Sequence, residues 1–274
     1  MSQSARTAAL FDAVAETYDS VGVDFFQPIA RGLLAAMPPR PGGRWLDIGC
    51  GRGAVLLPVA EGVGPQGRPV GLDISPAMVE QARLAARQRG LAHVRVAVGD
   101  AMAPSLEDGR FDTVSSCLVL FFLPDPAAAL RAWLGLIEPG GRLGITTFGP
   151  ADPRWQHIDE VFEPYLPSRL RDARTSGTKG PFASDAGMER LVSEAGYGEV
   201  RTVSGSVPVV FASLEQWRSF SLSTGQRLMW QAVPEDRRPE VLAEAGRRLA
   251  AHARPDGSVV FDQAIRHTLA VRPR

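Results

Sequence analysis

Leu46-Asp47-Ile48-Gly49-Cys50-Gly51-Arg52-Gly53 reads as the end of a buried strand, a glycine-rich turn and the approach to a helix. Trp45 to Ile48 is short and apolar, and Ala54-Val55-Leu56-Leu57 opens a helix directly after the turn. Glycine lets the chain turn tightly and lets a ligand approach the backbone with no Cβ in the way. The following helix presents free N–H groups at its start. Such a turn alone suits several ligands, and its glycines also read as purely structural residues. Two features narrow the choice. The spacing is G-x-G-x-G, one residue tighter than the dinucleotide pattern G-x-G-x-x-G. Asp47 precedes the first glycine, where a carboxylate is poorly placed for a pyrophosphate but suits a ligand carrying an ammonium group.

Outward from this run, strands and helices alternate. Pro69 to Leu72 is a second strand ending at Asp73, where a carboxylate can accept hydrogen bonds from both hydroxyls of a ribose. Ser75-Pro76 reads as N-cap and first helical position of a helix running to Gln88. Val94 to Val98 is a third strand, a fourth lies within Phe111 to Phe122, and Arg142 to Phe148 is a fifth, after the turn Glu138-Pro139-Gly140-Gly141. Upstream, Leu10, Phe11 and Val14 share one helix face, and Phe26, Ile29, Leu33 and Met37 another. This rhythm predicts a parallel sheet covered on both faces, with ligands at the carboxyl ends of its strands. After Phe148 the pattern changes. Ser184 to Ala195 is a helix, Glu199 to Val203 a sixth strand and Ala264 to Val271 the last. Residues 149–182 and 205–262 read as cap elements of a single domain, the latter mainly helical over 213–253.

Composition bounds the function. The chain has 274 residues, 45% apolar and 22% charged, with 30 basic against 30 acidic side chains. A balanced charge argues against a general nucleic-acid binder or a polybasic membrane anchor. Cys50 and Cys117 are the two cysteines, too few for a disulfide scaffold and compatible with a reducing cytoplasm. No apolar run has the length of a membrane span, and the N-terminal segment does not read as a signal peptide. Lys179 is the sole lysine among many arginines, a bias typical of a GC-rich genome.

Taken together, the blocks resemble the class I S-adenosylmethionine-dependent methyltransferases, most closely the small-molecule type that includes the ubiquinone and menaquinone methyltransferases. Leu46 to Gly53, Gly71-Leu72-Asp73-Ile74-Ser75, Gly99-Asp100-Ala101, Phe111-Asp112-Thr113-Val114 with Leu123-Pro124-Asp125, and Glu138 to Gly141 carry the likeness. Phe11-Asp12 with Tyr18-Asp19 resembles the N-terminal helix that closes over the cofactor in that family, within residues 1–40. The resemblance implies an α/β Rossmann-like fold: a seven-stranded, mostly parallel sheet with an antiparallel last strand, helices on both faces and a mainly helical cap. It implies S-adenosylmethionine as cofactor and S-adenosylhomocysteine as product. Gly49, Cys50 and Gly51 would line the methionine and ribose, with Asp47 near the ammonium. Asp73 would hold the ribose, Ile74 and Met78 would pack at the adenine, and Asp100 would accept from its amino group beside Ala101 and Met102. The backbone near Cys117 would face the methionine amine, and Tyr18 would reach its carboxylate. Each residue keeps a structural alternative: turn glycines, Asp73 as a helix cap, Asp100 as a loop acid, Tyr18 as packing, and Cys50 and Cys117 as inert buried thiols.

The acceptor is expected to be a small, largely apolar molecule of specialised metabolism, methylated on carbon or oxygen mainly by proximity and orientation. Phe121-Phe122 provides an aromatic wall where many relatives have a histidine. Of the four histidines, His157 is the candidate base, set against the alternative of a surface cap histidine. Trp155, Phe162, Tyr165, Phe182, Phe211, Trp217, Phe220 and Trp230 offer aromatic surface for a pocket roof or for a core. Arg169, Arg171 and Arg174 offer an anion site, a solvated face or an oligomer contact. No cluster has metal-ligand spacing. The N-terminal helices and cap are candidate surfaces for a homo-oligomer. Competing readings are N-methylation, a cyclase or decarboxylase that binds S-adenosylmethionine without transferring methyl, a nicotinamide dehydrogenase, and a non-catalytic binding protein.

Overall fold

A computed structural model describes residues 3–106, 109–167 and 179–274. Its sheet has the order β3-β2-β1-β4-β5-β7-β6. The strands are β1 (Arg44–Ile48), β2 (Arg68–Asp73), β3 (Arg95–Val98), β4 (Phe111–Cys117), β5 (Ile137–Phe148), β6 (Gly198–Phe211) and β7 (Val259–Val271). Strands β1 to β5 pair in parallel, and β7 runs antiparallel to both β5 and β6. Strand order reverses between β1 and β4, so the crevice at their carboxyl ends is the switch point of the sheet. The central strands are apolar because they are covered on both faces: Leu46, Ile48, Val114, Leu143 and Ile145 are fully buried, each stabilising the fold by about 1.5–3 kcal/mol.

The helices are α1 (Gln3–Asp12), α2 (Phe26–Ala36), α3 (Leu56–Val63), α4 (Pro76–Gln88), α5 (Pro126–Leu136), α6 (Pro153–Asp159), α7 (Asp185–Glu194), α8 (Leu214–Ser223), α9 (Arg227–Ala232) and α10 (Arg238–Ala250). Local chemistry sets many of their starts. The Ser75 hydroxyl accepts from Met78 N–H with Pro76 at the first helical position, and Asp125 caps Ala128 N–H in the same way ahead of Pro126. Asp152, Ser184 and Ser213 repeat the device at α6, α7 and α8.

Three strands differ in extent from the sequence expectation. The sixth and last strands are much longer than expected and pair from Gly198↔Val271 to Phe211↔Val259. Residues 205–211 and 259–262 therefore belong to the sheet and not to a helical cap. The stretch Ser204-Gly205-Ser206-Val207-Pro208 reads as a loop because β6 is an edge strand. An edge tolerates proline and polar residues that a central strand would reject, and Val209 and Phe211 at its far end are buried. The fifth strand begins at Ile137, with the Glu138 to Gly141 turn looped out between the pairs Phe111↔Ile137 and Thr113↔Arg142.

His267 lies inside this sheet. Its Nδ1 is 2.9 Å from Thr146 Oγ1, and Gly32 of α2 packs so closely that a Cβ there would lie 2.6 Å from Nε2. Burial pushes the imidazole pKa down to about 4. The fold therefore holds the neutral ring, and its stabilising effect is complete above the unfolded value and lost as pH falls from 6.5 towards 4, a change of about 3 kcal/mol. In denaturant titrations at pH 7.5 and 4, the His267→Gln variant is expected to lose that much of the wild-type pH dependence. Equal slopes in the two proteins would refute it.

Candidate active site

At the carboxyl ends of β1 to β4 the chain forms a cavity. Gly49 and Gly51 enter it from the glycine run, Asp73, Ile74 and Met78 from the end of β2 and start of α4, and Asp100, Ala101 and Met102 from the loop after β3. Cys117 closes the β4 side and Tyr18 one rim. Ten of the residues singled out in the sequence thus meet at one place.

The glycines have distinct reasons. All three have positive φ. A Cβ on Gly49 would lie 2.2 Å from Val119 Cγ2, so this glycine lets the loop pack on the segment after β4. A Cβ on Gly51 would meet no protein atom within 4 Å and would point into open cavity space. Gly53 packs on Leu57 and is a turn residue only. Asp73 ties the loop to β2: one carboxylate oxygen accepts from Gly51 N–H at 2.8 Å, the other from Ser75 N–H at 2.9 Å. Burial raises its pKa, against the lowering effect of these N–H groups. Each oxygen keeps a further lone pair for a ligand. Asp100 accepts from Met102 N–H and, on its other oxygen, from the Ser4 hydroxyl.

Two expected residues stand elsewhere. Asp47 is buried but does not line the cavity. Its carboxylate accepts from Ser115 Oγ at 2.7 Å, which in turn accepts from Trp45 Nε1. Burial pushes its pKa up to about 7. Cys50 faces the other way, into a small core with Leu56, Val79, Ala82 and Val96. It follows Gly49 in a turn that rotates its side chain behind the loop, so adjacency in sequence did not mean adjacency to the cavity.

The roof was only partly legible. Helix α1 lays Gln3, Ser4, Thr7 and Phe11 across the cavity. It is held by the Ser4–Asp100 bond, by Gln3 Nε2 donating to Phe122 O, and by Asp12, whose carboxylate accepts from Ser75 Oγ and Ala77 N–H. Arg52 of the glycine run donates to the backbone carbonyls of Glu16 and Tyr18, fixing the segment that carries Tyr18. Tyr18 stacks on Phe26 with centroids 4.3 Å apart. Burial, with Asp19, Cys117 and Asp73 nearby, pushes its phenol pKa well above the usual range. Leu118 carries a left-handed φ of 60° at the end of β4. Such strain, of order 1–3 kcal/mol, is commonly stored at functional sites, but nothing in the sequence marked this leucine.

A second cavity, of about 310 Å³, adjoins the first. Its walls include Phe25, Phe26, Phe121, Phe148, Trp155 and Phe220, and its volume is that of a small-molecule pocket. Phe11, Tyr18, Leu118 and Phe122 line both cavities and form a shared wall. Among the cap aromatics, Trp155 and Phe220 reach this cavity, whereas Phe162, Phe211, Trp217 and Trp230 pack in the core. His157 does not line either cavity. It sits on the outer side of α6 with its side chain 54% exposed, its Nδ1 3.0 Å from Glu160. Trp155 and Ile158 are the buried residues of α6, and Gln156 and Asp159 also line the second cavity, whereas His157 faces solvent, which removes it as the base. Arg169, Arg171 and Arg174 lie outside the described residues. Among the described residues there is no group of three or more metal-ligating side chains, and no helix is long and apolar enough to cross a membrane.

The strand order, the glycine loop over β1 and the acid at the end of β2 define a nucleotide-type site at the switch point of a Rossmann-like sheet. Residues 46–145 match the methyltransferase-domain family model. The chain belongs to the S-adenosylmethionine-dependent methyltransferases, and S-adenosylmethionine is its cofactor. It is 38% identical to nocamycin O-methyltransferase of Saccharothrix syringae over 257 residues, covering 89% of this chain and 91% of the relative. It is 41% identical to aklanonic acid methyltransferase DauC of Streptomyces sp. (strain C5) over 160 residues, 58% of this chain and 73% of the relative. In fold it is similar to the cyclase SpnF, with a TM-score of 0.60, 21% identity and coverage of 98% and 97% of the two chains. The residues lining the first cavity suit the cofactor. Gly51 leaves room where a Cβ would intrude, and two carboxylates stand at separate points of the wall.

Proposed function

We propose that this enzyme methylates an oxygen atom of a small aromatic acceptor in bacterial specialised metabolism. The observation that carries the reading is the shared wall: ligands in the two cavities would meet at Phe11, Tyr18, Leu118 and Phe122. The relative named as a nocamycin O-methyltransferase supports oxygen as the acceptor atom.

When bound, S-adenosylmethionine supplies an electrophilic methyl group. The chain's own part is alignment and exclusion of water. In this reading Asp73 accepts from the ribose hydroxyls, Asp100 accepts from the adenine amino group, and Ile74, Met78 and Met102 cover the base. Helix α1 closes the roof. Tyr18 stays a neutral phenol and donates to the cofactor carboxylate. In the shared wall Tyr18 is the sole titratable side chain, and a phenol so strongly held in its protonated form is no general base. With Asp152 and Asp159 lining the acceptor cavity away from that wall, the transfer point itself suits an acceptor acidic enough to lose its own proton, as a phenol, enol or carboxylic acid does.

The test is S-adenosylhomocysteine formation with a panel of phenols, enolised diketones, aromatic acids and aryl amines, with products identified by mass spectrometry. O-methyl products from the acidic members are expected. Turnover of the amines alone, or consumption of an acceptor without S-adenosylhomocysteine, would overturn the reading. The Tyr18→Phe variant keeps the ring stacked on Phe26 and loses one hydrogen bond to a charged group, worth about 1.5–3 kcal/mol. Calorimetry is expected to show S-adenosylhomocysteine binding roughly 10- to 100-fold weaker. Unchanged affinity would place the hydroxyl elsewhere.

A further inference from the structure

Rings and polar side chains share the wall of the acceptor cavity, and at two of its residues a buried polar atom has no hydrogen-bond partner among the described residues: Trp155 Nε1 and Gln226 Oε1. We infer that they form a hydrogen-bonding subsite for a second oxygen function of the acceptor, a carbonyl and hydroxyl pair carried on a planar aromatic body and set apart from the atom that is methylated. This rests on the methyl-transfer reading given above.

Trp155 is 8% exposed, and its ring packs against Phe25, Phe211, Phe220 and Phe261 at centroid distances of 6.3, 5.6, 6.1 and 5.5 Å. That packing holds the indole in one orientation. Trp45, Trp133 and Trp230 each donate their indole N–H to a partner, at 2.8, 2.7 and 2.7 Å. Trp217 also lacks a partner, but it is sealed in the core and lines neither cavity. Trp155 is the unpartnered indole that stands at the acceptor wall.

Gln226 follows the turn between α8 and α9. Its Nε2 donates to Asp159 Oδ2 at 2.8 Å, which fixes the amide orientation and leaves the carbonyl Oε1 as the unpartnered end. Both atoms are covered in this structure, and a bound acceptor that displaces the side chains over them would meet one donor, for a carbonyl or ether oxygen, and one acceptor, for a hydroxyl. Neither residue belongs to the shared wall where methyl transfer would occur. An unpaired buried polar group destabilises the site that holds it. An acceptor that satisfies these two removes that penalty, and an analogue lacking the oxygen functions cannot.

The experiment compares xanthone with the four monohydroxyxanthones, all of which keep the carbonyl and the planar body. Binding is measured by calorimetry on the full chain, with and without S-adenosylhomocysteine. The wild type should bind at least one hydroxyxanthone about tenfold or more tightly than xanthone. Gln226→Leu should shrink that preference by roughly 5- to 100-fold. Trp155→Phe keeps an aromatic ring and should weaken xanthone and hydroxyxanthones alike by a similar factor, through the lost bond to the carbonyl. Retained S-adenosylhomocysteine binding in both variants shows that they are folded. Preserved preference in Gln226→Leu, unaltered affinities in Trp155→Phe, or no binding of any xanthone to the wild type would overturn the subsite. Failure of the wild type to bind S-adenosylhomocysteine would instead strike the methyl-transfer reading, and the xanthone comparison without it would still decide the subsite.

Discussion

Asp73→Ala is expected to weaken S-adenosylhomocysteine binding by roughly 10²–10⁴-fold, the largest loss from any single substitution in the cavity. Two hydrogen bonds from the ribose to a carboxylate would go, each worth about 1.5–3 kcal/mol. The substitution also reaches the loop. Gly51 N–H and Ser75 N–H both donate to this side chain, and without it the glycine run loses its tie to β2. Asparagine does not restore the site, because its amide group would turn a donor towards one of those two N–H groups. Calorimetric titration of both variants decides the matter. Near wild-type affinity in Asp73→Ala would show that the acid serves the loop and not the ligand.

Arg266→Met is the second large effect, and it acts on the fold. Arg266 is 5% exposed and donates to Asp185 at 2.6 Å and to the carbonyls of Phe148, Phe182 and Ala183. These partners come from β5, α7 and the turn before it, so one guanidinium fastens three segments to β7. Methionine fills the volume but leaves the carbonyls without a donor. The cost is about 2–4 kcal/mol after partial rehydration, a fall in Tm of roughly 5–15 °C for a chain of this size. Phe148 lines the acceptor cavity, and Phe182 lies 6.3 Å from Phe121 in its wall. The KM for the acceptor should therefore rise several-fold while S-adenosylhomocysteine affinity is unchanged. A thermal scan and the two affinities test this. A Tm within 2 °C of wild type would show that water replaces the guanidinium without cost.

The first cavity was readable because its residues sit at ends of strands that alternate with helices, and those ends are marked locally. Gly51, Asp73 and Asp100 each occur in a short segment whose turn chemistry is written in adjacent residues. The long ladder of β6 and β7 was not readable, since an edge strand with Gly205 and Pro208 carries a loop's composition. His157 and Trp155 show the limit on a single helix. They are two positions apart, and packing against the sheet decides which of them turns inwards. Gln3, Ser4 and Thr7 approach the cavity from the far end of the chain, and their polar side chains carry no local sign of that contact.

By itself the sequence determined the alternation of strands and helices, the turn that needs glycine at positive φ, and the acids at the ends of β2 and β3, because backbone sterics and hydrogen bonding act over a few residues. The tertiary structure alone decided that Asp47 and Cys50 turn away from the cavity, that Val119 excludes a side chain at Gly49, and that rings from five separate segments enclose the acceptor space. Those outcomes depend on which surfaces meet when distant segments are buried together, and burial is a property of the packed whole.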